Sequence, residues 1–113
     1  MFYLLEEYES ELLWSGDIFR VFIRDKGENY YIDQVIDFII FETMDAERSL
    51  GLLSISGYKA GKIEFIFPKE AFKKDSIYSL DKKWVEKNIY DYLYINKECD
   101  KVFVSKNDSI LPF

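Results

Sequence analysis

The stretch Tyr30-Tyr31-Ile32-Asp33-Gln34-Val35-Ile36-Asp37-Phe38-Ile39-Ile40-Phe41-Glu42-Thr43 decides the fold. Its apolar residues Ile32, Val35, Ile36, Ile39 and Ile40 would share one face of a helix. The unbroken run Phe38–Phe41 and the aromatic and β-branched enrichment instead favour a strand near Val35–Glu42, covered on both sides.

Upstream, Leu12-Leu13-Trp14, then Ser15-Gly16, then Asp17–Arg24 reads as two strands joined by a two-residue turn. Phe19, Val21 and Ile23 share one face of the second strand; Ile18, Arg20, Phe22 and Arg24 share the other. Asp25–Asn29 is a turn with Gly27 free to take a positive φ, which makes a meander. Residues 2–8 fit a helical face or an extended chain equally. Downstream, Met44–Ser49 is polar enough for a loop. Leu50–Ser56 and Lys62–Phe67 flank Gly57-Tyr58-Lys59-Ala60-Gly61, a hairpin with glycine at each end of its loop, and Pro68 ends the returning strand.

Near Ser79 the rhythm changes to 3.6. Leu80, Trp84, Val85, Asn88, Ile89, Tyr92 and Leu93 form an amphipathic face, with Ser79 as expected N-cap and Asp81 at the positive end of the dipole. Lys101–Val104 is a last short strand. The expected fold is α+β: a mostly antiparallel sheet of meander and hairpins, one C-terminal amphipathic helix on a face, and a short final strand. With 113 residues and no Pro/Gly/Ser-rich linker, residues 1–113 form a single domain.

Composition narrows the chemistry. There is no His, which removes the usual general base and the commonest metal ligand; Cys99 is alone, which removes a disulfide and a thiolate zinc site. The acidic opening Met1–Glu7 is not a secretory signal, and no apolar run is long enough to span a membrane. A lone thiol without a signal points to the cytoplasm. Hydrophobic residues at 49% exclude a disordered chain.

The net charge is −6, and it is segregated: residues 1–56 carry 12 acidic and 4 basic side chains, residues 57–113 carry 9 and 11. Such a field repels phosphates, so nucleic acid is not the expected direct ligand, and it steers basic protein surfaces inward. The same acid would also serve solubility alone.

Three clusters invite a catalytic reading. Asp33 and Asp37, with Glu42, suggest a carboxylate or Mg²⁺ site, but in a strand Glu42 points opposite to the other two. Gly57–Gly61 lacks the spacing of a phosphate-binding loop and precedes a strand where that motif requires a helix. Cys99 lies between Lys97 and Lys101 but has no His base. Catalysis, metal and cofactor are therefore not expected. Trp14, Tyr30, Tyr31, Tyr58, Trp84, Tyr90 and Tyr92 are candidate interface anchors or core residues; of Tyr30 and Tyr31, one should face outward.

Gly16–Arg20, Phe38–Glu42, Gly51-Leu52, Ser56-Gly57-Tyr58-Lys59-Ala60-Gly61, Pro68–Ala71 and the helix with Trp84 and Asn88 together resemble the bacterial immunity protein 45 family, over roughly residues 12–90. The hexapeptide is the most specific piece; the first dozen residues and the tail after Cys99 fall outside the resemblance. What it implies is a small cytosolic partner of a polymorphic toxin, which binds a cognate toxin domain and prevents self-intoxication. It also implies that Gly57 and Gly61 shape the hairpin and that Trp14 and Phe41 pack. A basic nuclease would suit the acidic charge. The expected partner-binding face comprises Tyr30, Tyr31, Asp33, Asp37, Glu42, Asp45 and Glu47. An acidic DNA mimic, or an adaptor for another basic protein, is the alternative, and a carboxylate-only enzyme the third reading. Monomer and dimer are both open.

Overall fold

The computed structural model describes residues 1–26, 31–57 and 59–106, and for residues 25, 26 and 31–33 it describes the backbone alone. The turn at Gly27, Tyr30 and Tyr58 lie outside the described residues. The strands are β1 (Tyr3–Leu4), β2 (Leu12–Trp14), β3 (Ile18–Lys26), β4 (Tyr31–Glu42), β5 (Leu50–Ser54), β6 (Ile63–Ile66), β7 (Ser79–Asp81) and β8 (Lys101–Ser105); the helix α1 runs Lys82–Tyr92. Short 3-10 turns occupy Leu5–Glu7 and Lys69–Ala71. The expected α+β fold is the one observed.

Six strands form an antiparallel sheet in the order β1-β8-β3-β4-β5-β6, so the two longest, β3 and β4, are its central pair. Their register is continuous: Ile18 lies opposite Ile39, Arg20 opposite Asp37, and Phe22 opposite Val35. Alternation then sorts every strand onto two faces. One face buries Phe19 and Val21 of β3, Phe38 and Ile40 of β4, Leu50 and Leu52 of β5, and Val102 and Val104 of β8. The helix lays Val85, Ile89 and Tyr90 on this face, and Leu5, Leu13, Phe67 and Leu80 complete the cluster.

Four expectations need correction. Leu12–Trp14 does not form a hairpin with the strand that follows; it pairs with β7 in a separate two-stranded sheet, Leu13 opposite Leu80. The intervening Ser15-Gly16 is a corner. Gly16 N–H donates to the Ile40 carbonyl at 2.7 Å, Ile40 N–H to the Asp17 carbonyl at 3.0 Å, and the buried Asp17 carboxylate accepts Trp14 N–H at 2.9 Å. The backbone is thereby handed from the small sheet to the large one.

Ser79 is not the N-cap. It sits within β7, and the cap is Asp81, whose carboxylate accepts the Lys83 N–H. Strand pairing continues until the helix begins, which displaces the cap by two residues.

The strand over Val35–Glu42 is present and longer than expected, but it is not covered on both sides. Val35 is 49% exposed, and Asp37, Ile39 and Phe41 are only partly buried. Trp14, expected to pack, is likewise 46% exposed, at the end of the short strand that pairs with β7.

Candidate partner-binding surface

The residues expected at the interface are strung along β4 and the loop after it. Tyr31 and Asp33 lie near the start of the strand, opposite Lys26 and Arg24 in register. Asp37 is in the middle, Glu42 at the end, and Asp45 and Glu47 in the loop. From Tyr31 to Glu42 the strand rises about 35 Å, so its two ends are separate surfaces.

Asp37 is held inside the sheet surface. Its two carboxylate oxygens accept from Arg20 Nε and Nη2 at 2.9 and 3.0 Å, and its backbone N–H donates to Ser56 Oγ. The Arg20 guanidinium is flanked on its other side by the Phe2 ring, 4.3 Å away. The bidentate hydrogen bond to Asp37, with its charge, raises the Arg20 pKa further. The carboxylate that suggested a metal or acid–base site thus has a fixed cation, and among the described residues no cluster of three metal-ligating side chains forms.

The loop after β4 is organised by its own hydrogen bonds. The Asp45 carboxylate accepts Glu47 and Arg48 N–H at 2.8 and 2.9 Å; Thr43 Oγ1 donates to the Arg48 carbonyl and accepts Asp45 N–H; Thr43 N–H donates to the Ser49 carbonyl. The backbone bonds from Arg48 and Glu47 hold the Asp45 carboxyl below its ordinary pKa. The result is a fixed acidic turn that displays Met44 fully exposed, with Glu42 exposed at its base. Glu47 reaches Lys69 at 3.0 Å, and Asp45 reaches Arg48 at 3.5 Å, all with substantially exposed side chains. Water and salt weaken such pairs, so a partner's cation can replace either.

Two apolar surfaces were not anticipated. The face of the large sheet opposite the helix carries Ile18, Phe22, Ile39, Phe41, Leu53 and Phe103 around the Arg20–Asp37 pair. Phe22 and Phe103 meet edge to face at 5.3 Å, and Phe22 is 41% exposed. The signal was present: both alternating sets of β3 and β4 are rich in apolar residues, where a solvated face would be polar. On the helix side, a groove of about 440 Å³ opens where α1 ends while β3 and β4 run on. Ile23, Ile36, Leu93 and Ile95 line it, with Lys59 and Glu64 also on its wall.

The candidate aromatic anchors divide. Tyr90 is buried, its hydroxyl donating to Glu6 Oε1 at 3.0 Å, and burial followed by that bond pushes the phenol pKa well up. Trp84 packs edge-on against Tyr92, and Tyr92 against Phe65, so this pair belongs to the packing of the helix. Tyr78 and Tyr94, which sequence reasoning passed over, are 60% and 95% exposed. Cys99 is a free, partly buried thiol.

The described residues of the hexapeptide belong to a hairpin loop. Gly57 and Gly61 take φ of +78° and +90°, values that L side chains resist, and Gly61 N–H closes the loop on the Ser54 carbonyl at 2.7 Å. β6 follows directly, as the hairpin reading requires.

No curated protein and no solved structure matches the chain at a significant level. The profile of the family described as Immunity protein 45 does match, over residues 5–104. That range takes in most of the first dozen residues and most of β8, both beyond the resemblance seen in the motifs. It contains every packing contact of the core described above, from Leu5 to Val104, and the chain belongs to the immunity protein 45 family.

Proposed function

We propose that this protein is a non-catalytic immunity protein that acts in the bacterial cytoplasm, where it binds a cognate toxin domain one to one and occludes its active or substrate-binding surface. The observation that carries this is the family match across residues 5–104. The net charge of −6 supports a toxin with a basic surface, and a nuclease groove, which must hold phosphates, is the class it suits best.

Within the expected face, the acidic turn is the part that supports direct contact most strongly. Met44 offers an apolar tip, and Glu42, Asp45 and Glu47 surround it on a backbone already fixed, so little ordering entropy is lost on docking. Tyr31, Asp33 and Asp37 belong to the far and middle parts of the strand; in this reading they serve a broad contact that runs along β4.

The test is co-expression with the C-terminal domain of the polymorphic toxin encoded beside this gene. The expected result is rescue of growth and a stable one-to-one complex. Failure of both, with binding to several unrelated basic proteins, would replace this reading with that of an acidic DNA mimic.

A further inference from the structure

At the centre of the open face of the large sheet lies an ion pair, Arg20 with Asp37, that is its own complement under a two-fold rotation. We propose that this face pairs with the same face of a second copy, forming an aligned two-sheet sandwich about a two-fold axis that runs along the strands between β3 and β4.

The geometry follows from the register. β3 and β4 are the central pair of the sheet, and Arg20 lies opposite Asp37 across them. A two-fold axis parallel to the strands places β3 of one copy over β4 of the other without changing level. Arg20 of one copy then meets Asp37 of the second copy, and the reverse, so two ion pairs become a closed square of alternating charge. By the same operation Phe22 faces Val35, and Ile18 faces Ile39, of the second copy. Phe103, level with Arg20, comes over Ile55, whose backbone N–H bonds the Asp37 carbonyl. An axis across the strands would instead set Arg20 against Arg20, which like charges oppose.

Exposure and charge agree with this occupant. Phe22, Val35, Ile55 and Ile63, at 41, 49, 43 and 57% exposed, are large apolar side chains and all fall on this face by alternation or register. Six strands at about 4.8 Å and some five residues of depth give roughly 400 Å² in projection. With the relief of the side chains, two such faces together reach the order of 1,000 Å², the lower bound for a specific interface. The chain is strongly acidic, yet the described charged side chains of this face are Arg20, Arg24 and Lys101 against Asp37. The acid of the chain therefore lies away from this face, and at its centre the ion pair of Arg20 with Asp37 is matched in sign by the same pair of a second copy. Stacked sheets at about 10 Å would bury these residues as a second core.

The acidic turn of Glu42, Asp45 and Glu47 and the helix side stay free in this arrangement, while Asp37 in the middle of β4 is covered. Toxin capture through the turn is compatible with the pairing, and failure of the pairing leaves the toxin reading standing. The experiment is sedimentation velocity on the full chain over a concentration series, with Phe22→Lys and Val35→Glu. Wild type is expected at twice 13.5 kDa. Each variant, whose site is already solvent-facing in the single chain, is expected to keep its circular dichroism and to weaken pairing about a hundredfold by burying an unpaired charge. Mixing the two variants is expected to restore a dimer, because the introduced ammonium of one copy then faces the introduced carboxylate of the other. A 13.5 kDa species at every concentration overturns the proposal. So does a dimer that both variants leave intact, or a monomer in which they abolish toxin capture, which would give the face to the toxin.

Discussion

Asp100 shows how much a single buried carboxylate organises. It is 4% exposed and accepts Arg24 N–H through Oδ1 at 2.8 Å and Asn96 N–H through Oδ2 at 2.7 Å, tying β3 to the turn that launches β8. Asp100→Ala leaves both donors without their acceptor and is expected to cost about 2–3 kcal/mol, read from urea unfolding. Asp100→Asn, which turns a donor toward a donor at one position, should lose a large part of the same amount. Neither role was legible beforehand, because Arg24 is 76 residues away and only the folded register brings it close. Tyr90 gives a second test. Its pKa is raised by burial and by Glu6. A raised value means the protonated phenol adds stability below the ordinary tyrosine range, lost as the pH climbs through the folded value. The ultraviolet difference between wild type and Tyr90→Phe is expected to show no phenolate in the pH range where a free tyrosine ionises. Ionisation of Tyr90 within that range would contradict the burial of its hydroxyl.

Among the elements, those with local determinants were readable. The β5–β6 hairpin follows from two alternating runs with glycines at the loop ends, and α1 from a 3.6 repeat that buries Val85 and Ile89. The partner of β2 was not readable. Sequence adjacency and a two-residue turn suggested β3, whereas the pairing is with β7, more than 60 residues on. What decides is the corner at Gly16-Asp17, whose hydrogen bonds to Ile40 are tertiary. The N-cap moved for the same reason: Ser79 and Asp81 are both competent caps, and because the β2–β7 pairing runs through Asp81 the helix begins only after it, with Asp81 at the boundary. The candidate site was legible as acid along β4 and its loop. Which acids are committed to internal partners was not, since Arg20 lies on another strand and Lys69 beyond the next hairpin.

At the scale of the molecule, two kinds of surface separate. The acid concentrates at loops and at the N-terminal turn, while the open sheet face is apolar around one fixed ion pair. Charges at the rim of a contact govern the rate of encounter more than its lifetime. Reversal of Glu42 and Glu47 to Lys is therefore expected to slow toxin association about tenfold at low salt, with little change in dissociation, and stopped-flow mixing at two ionic strengths checks it. No helix among the described residues is long and apolar enough to cross a membrane.

The proposed neutralisation by stoichiometric capture is checked by titrating the cognate toxin domain's activity with this protein, at a toxin concentration far above the dissociation constant. Activity is expected to fall linearly and to reach zero at one equivalent. Complete, progressive loss at a small fraction of an equivalent would mean catalytic inactivation, and undiminished activity in excess protein would mean no capture; either result contradicts it.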